Sequence, residues 1–120
     1  MATNIAGQTL AQSLDQGTPS RAFGSDTFDA TAIVAADSVV VTCGFKPRYV
    51  TWENATDRTK IEWYEGMAVN TCIKTIAVGT RTLEVANGGI TITNTGFSVL
   101  QNATLAAILA SKVCYWKAEG

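Results

Sequence analysis

The chain has 120 residues, 47% of them apolar and only 16% charged, with a formal net charge of −1. That length implies one domain with a single core that needs no disulfide staples. Nine Lys and Arg scattered among ten Asp and Glu speak against the basic stripe of a nucleic-acid binder, and the absence of histidine removes Ser-His-Asp and Cys-His catalysis.

The charged fraction lies well below the usual quarter for a globular domain. Thr, Asn, Ser, Gln and Gly take the place of the common Lys/Glu coat. Such a surface suits a rigid, exposed structural protein, or one that buries much of its area against neighbours.

Residues 1–26, MATNIAGQTLAQSLDQGTPSRAFGSD, are polar and small, with few large apolar groups. They cannot build a core of their own and are expected to form an arm that orders only against a neighbour. Ile5, Leu10, Leu14 and Phe23 are its candidate anchors, and the spacing of Leu10 and Leu14 permits one helical turn. The folded domain is expected over 27–120.

From Thr27 the chain becomes β-branched and apolar. A strand is expected near 28–35 and another near 38–44, with Asp37-Ser38 as the break between them. Gly44 to Pro47 punctuates the chain, because Pro can open a strand but cannot sit inside a central one. RYVTWEN at 48–54 alternates, with Val50 and Trp52 on one face and Tyr49, Thr51 and Glu53 on the other. KIEWYEG at 60–66 alternates likewise, with Ile61 and Trp63 on one face and Glu62 and Tyr64 on the other. The polar link at 55–59 makes the two a hairpin with both tryptophans toward the core.

NTCIKTIA at 70–77 and TRTLEV at 80–85 are the next expected strands. Asn87-Gly88-Gly89 reads as a hairpin turn into GITIT at 89–93, and Asn94-Thr95-Gly96 turns into GFSVL. TLAAILA at 104–110 is rich in helix formers and reads as a short helix or a turn. KVCYWKA at 112–118 closes the chain as a strand. Strands at about ten-residue spacing with turn residues between them predict an antiparallel sandwich or barrel.

Little chemistry competes with a structural reading. Cys43, Cys72 and Cys114 are odd in number and lack CxxC spacing, so three reduced thiols acting as small hydrophobes are expected, with no metal and no cofactor. Glu62 and Glu65 fall on opposite faces of a strand; Glu53 and Glu62 are expected to face each other across the hairpin on a solvated surface rather than as a glycosidase pair. Asp26, Asp29 and Asp37 lack calcium-loop spacing, and Asn87-Gly88-Gly89 is no phosphate loop. No Sec-type leader is expected, and no window reaches the roughly 18 apolar residues of a spanning helix. The Trp and Tyr residues, Tyr49 and Tyr64 above all, belong to the core, to a subunit interface or to a sugar-stacking platform.

Six short motifs occur in a telling order: GFKPRYV at 44–50, WYEGM at 63–67, KTIAVGTRT at 74–82, GGIT at 88–91, GF at 96–97 and CYWKA at 114–118. Together they resemble a family of short proteins encoded among the virion structural genes of tailed bacteriophages and prophages. The likeness spans about residues 40–118. It departs after Gly96-Phe97, where a Gly-x-Asp is expected and SVLQNATL stands. The resemblance implies a jelly-roll-like β-sandwich and a non-enzymatic virion component, most plainly a capsid decoration, or cement, protein on the outer surface of the head, made in the host cytoplasm. Its implied partner is the major capsid protein of the same phage. Seating at three-fold and quasi-three-fold axes implies a homotrimer, with no nucleic acid or membrane bound. The arm would reach across neighbouring subunits, and Arg48, Arg58 and Arg81 are candidates for paired contacts. A tail or baseplate subunit and a carbohydrate-binding adhesion module are the alternatives.

Overall fold

The computed structural model describes residues 20–120. Nine strands follow in chain order: β1 (Arg21–Thr27), β2 (Ser38–Thr42), β3 (Tyr49–Asn54), β4 (Thr59–Tyr64), β5 (Cys72–Thr75), β6 (Arg81–Glu84), β7 (Ile90–Ile92), β8 (Gly96–Leu100) and β9 (Val113–Glu119). Six of them form one sheet in the order β1-β9-β3-β4-β5-β6, and three form a second in the order β2-β8-β7. Every pairing is antiparallel. The chain is an all-β antiparallel sandwich, as strand spacing predicts. The described residues contain no helix, and so none long and apolar enough to cross a membrane.

The hairpin read at 48–66 forms as expected. In β3 burial alternates strictly, with Val50 and Trp52 fully buried. Across the ladder Val50 meets Trp63 and Trp52 meets Ile61, so the apolar residues of both strands share the inner face. The opposite sheet answers with Ile90, Phe97 and Val99, all fully buried. Three aromatic rings join the layers edge to face: Trp52 lies 6.4 Å from Phe97, and Phe97 lies 5.5 Å from Trp116. Such pairs contribute about 0.5–1.5 kcal/mol each beyond their burial.

Three expectations are corrected. First, the sheet begins at Arg21, inside the segment read as an arm. β1 pairs with β9 along its whole length, from Arg21 opposite Glu119 to Thr27 opposite Val113. Gly24 permits this, since a Cβ there would lie 2.5 Å from the Trp116 ring. A glycine within a strand marks such a close approach.

Second, residues 28–35 form no strand. The Asp29 carboxylate accepts the Thr31 N–H at 2.8 Å, a local turn that competes with the extended ladder. Phe28 and Ile33 still pack against the core.

Third, Asn87-Gly88-Gly89 is no hairpin turn. β6 pairs only with β5, and β7 pairs with β8 in the other sheet. The glycines carry the chain between layers: Gly88 has a φ of 90°, and Gly89 passes so close to the Thr71 backbone that a Cβ would lie 2.4 Å from it.

The 104–110 stretch, for which a short helix or a turn is expected, forms turns. Ala106 and Ser111 take left-handed φ of 58° and 63°, which a continuing right-handed helix forbids. Its carbonyls serve the core instead. The Trp52 indole N–H donates to the Ala107 carbonyl at 3.0 Å, and the Asn54 amide donates to the Ala106 carbonyl at 3.2 Å. Leu105, Ala107 and Ile108 are fully buried.

Candidate functional site

The six-stranded sheet has an inner face against the core and an outer face turned away from it. Period-two alternation decides which residue faces where, and the register lines them up across strands. One row on the outer face reads Phe23, Lys117, Thr51, Glu62, Ile73, Leu83. The row beside it carries Tyr115, Glu53, Lys60 and Arg81. Tyr49 and Tyr64 sit opposite one another on the other side.

Glu62 is the centre of this face. Its side chain is only 9% exposed, although it lies on the outward side of the sheet. The Tyr49 hydroxyl donates to its Oε2 at 2.8 Å and the Tyr64 hydroxyl donates to the same oxygen at 3.2 Å. Its Oε1 lies 3.5 Å from Arg81 Nη2 and 3.7 Å from Lys60 Nζ. The carboxylate thus has two phenol donors on one oxygen and two cations at the other, which is what a buried charge requires.

The two tyrosine rings pack at 5.0 Å, and Lys117 Nζ stands 5.6 Å from the Tyr49 ring centre. The Thr51 hydroxyl donates to the Tyr49 oxygen. Burial pushes the Tyr49 phenol up to about 12, so it remains a donor at neutral pH.

Around this fixed centre stand exposed apolar side chains: Phe23 at 69%, Leu83 at 62%, Tyr115 at 55% and Tyr64 at 44%. An open groove of about 330 Å³ runs between Tyr115, Glu53, Lys60, Thr51 and Lys117.

The sequence-derived candidates divide clearly. Tyr49, Tyr64 and Arg81 converge on Glu62, and Phe23 lies on the same face. Arg48 sits at the rim, 3.8 Å from Glu65, where its carbonyl accepts the Glu65 N–H. Arg58 lies away from the face, exposed in the β3–β4 turn with a φ of 57°. Ile5, Leu10 and Leu14 fall outside the described residues. The expected facing of Glu53 and Glu62 does not occur, because the register sets Glu53 opposite Lys60 and Glu62 opposite Thr51. Alternation alone predicts a solvated Glu62; its partners are Tyr49, Tyr64 and Lys60 of its own hairpin and Arg81 of β6, which no local pattern aligns with it.

The three cysteines are free, with Cys72 and Cys114 buried and Cys43 half-buried. Burial raises the Cys72 thiol to about 12 and the Cys114 thiol to about 11, which keeps both protonated and inert. Among the described residues no group of three or more Cys, Asp or Glu is placed to hold a metal ion. No family model, curated protein or solved structure matches the chain.

Proposed function

We propose that this chain is a non-enzymatic structural protein of a tailed-phage virion. In this reading it is a capsid decoration subunit that docks on the major capsid protein through the outer face of the six-stranded sheet. The observation that carries the reading is the composition of that face: exposed Phe23, Tyr115, Tyr64 and Leu83 around the rigid Glu62 network. Aromatic anchors in a preorganised polar setting are the anatomy of protein interfaces. The low charged fraction and the ordered run of motifs support the same reading. The reach attributed to the N-terminal segment belongs in this picture to the residues before Arg21, since β1 holds the rest.

The test is co-sedimentation of the purified protein with undecorated shells. Phe23→Ala combined with Tyr115→Ala should lower affinity at least about tenfold while the domain stays folded. Unchanged binding by this variant would refute docking through this face. No binding by the unaltered chain, with binding to tail assemblies instead, would move the protein to the tail.

One observation favours a second reading. Tyr115 exposes its ring beside Glu53 and Lys60 in the groove, a stacking surface next to polar groups that suit sugar hydroxyls. Titration with host-surface oligosaccharides, followed by amide shifts, separates the readings: shifts confined to the groove and abolished by Tyr115→Ala would favour the carbohydrate module.

A further inference from the structure

We propose that the chain pairs with a second copy of itself through β2, so that the two three-stranded sheets merge into one. The reasoning is independent of the virion reading.

β2 is an edge strand that pairs only with β8 among the described residues. The hydrogen-bond phase of that pairing follows from its two ends. The Cys43 N–H donates to the Thr95 carbonyl at 2.8 Å, and the Gln101 N–H donates to the Asp37 carbonyl at 2.9 Å. In an antiparallel ladder bonded pairs recur at every second residue. Residues 37, 39, 41 and 43 therefore bond to β8, and the N–H and C=O groups of Ser38, Val40 and Thr42 point to the open edge.

Open edges are normally guarded by charge, proline, glycine or shortness. The other sheet edges of the described residues are: β1 carries Arg21, Gly24 and Asp26, β6 carries Arg81 and Glu84, and β7 has three residues. β2 reads Ser-Val-Val-Val-Thr and has none of these guards. Its central residue, Val40, is 70% exposed.

The occupant follows from the pattern, because β2 is a chemical palindrome. Laid antiparallel on its own copy about Val40, it sets Ser38 opposite Thr42, Val40 opposite Val40 and Thr42 opposite Ser38. Those are the residues whose backbone groups face outward, so each of the three pairs can exchange both its hydrogen bonds. The side chains agree with the backbone. Val40 meets Val40 on the exposed side, and hydroxyl meets hydroxyl beside it. On the inner side Val39 meets Val41, and both already pack against the core. A slip of one residue would put the two Val40 side chains on opposite faces and lose the bonding phase. A charged or mixed partner strand has no counter-charge on β2 to meet.

The test uses the full chain. Light scattering after size exclusion should give twice the 12.7 kDa of one chain, and Val40→Lys should return the mass to that of one chain. Val78→Lys, at an 84% exposed position in the β5–β6 turn, should leave the double mass unchanged. Register is read by cross-linking in a Cys43→Ser background, with diamide as the oxidant that accepts the two thiol hydrogens. Val40→Cys should link to itself, since directly opposed Cα atoms about 5.5 Å apart suit a disulfide. Ser38→Cys alone should not link, but should link when mixed with Thr42→Cys. A mass of one or three chains for the unaltered protein would overturn the proposal, because a cyclic trimer or a chain that covers its own β2 leaves no two-fold pair. So would a double mass insensitive to Val40→Lys, or Ser38→Cys linking to itself as readily as Val40→Cys.

Discussion

Replacing Glu62 by Gln keeps the shape of the side chain and removes its charge. Glu62 accepts two hydroxyl hydrogen bonds, at 2.8 and 3.2 Å, and lies within 3.7 Å of two cations. Hydrogen bonds to a charged acceptor contribute about twice what neutral ones do, so each bond loses about 1 kcal/mol when the charge goes. Lys60 and Arg81 are 39% and 57% exposed, so water screens both ion pairs and each adds only a few tenths of a kcal/mol. The expected loss is about 2 kcal/mol, or a fall in Tm of about 8 °C for a domain of this size. Urea unfolding gives the free energy directly. A cycle with Tyr49→Phe isolates the bond, and a coupling of about 1 kcal/mol is expected between the two sites. Strictly additive single-site effects would refute the idea that the tyrosines hold a buried carboxylate. The outer face would then be a solvated surface with no fixed centre.

Two further outcomes follow from the same structure. Gly24→Ala should destabilise by about 1–3 kcal/mol in chemical unfolding, because the new Cβ overlaps the Trp116 ring, and Trp116→Leu should relieve most of that loss; a silent Gly24→Ala would detach β1 from the sheet. Stability should also depend on alkaline pH. Burial raises the pKa values of Cys72, Cys114 and Tyr49 in the folded state to about 12, 11 and 12, above their ordinary values of 9.0, 9.0 and 10.0. The fold therefore prefers the protonated forms, and their contribution is complete below pH 9 and is lost as pH rises toward 11 and 12. A urea midpoint that holds flat from pH 9 to pH 11 would contradict the burial of these groups.

Alternation in the sequence determined much of this protein. Val50, Trp52, Ile61 and Trp63 recur at period two in two runs joined by a short polar link, and that suffices to make β3 and β4 a hairpin with these four inside. The same local rule placed β9 and the all-β class. It placed Tyr49 and Tyr64 on the same outer side, whereas the register that sets them directly opposite one another differs from the expected facing of Glu53 and Glu62.

Tertiary structure decided what period two cannot carry: which strands far apart in the chain become neighbours. β1 joins the sheet only because β9, more than eighty residues later, offers its edge, and Gly24 leaves room for Trp116 to lie beneath it. Asn87-Gly88-Gly89 has the composition of a hairpin turn, yet it moves the chain from one layer to the other, since β5 already occupies the inner edge of β6. Leu105, Ala107 and Ile108 have helix propensity, but the indole of Trp52 and the amide of Asn54 claim the carbonyls of that stretch. Glu62 depends on the same long-range pairing. Its own strand predicts an exposed glutamate; the tyrosines of β3 and β4 hold one of its oxygens within the hairpin, and long-range pairing adds Arg81 of β6 beside the other. Local pattern sets the face of each residue, while long-range pairing sets its company, and burial of a charge is a property of the company.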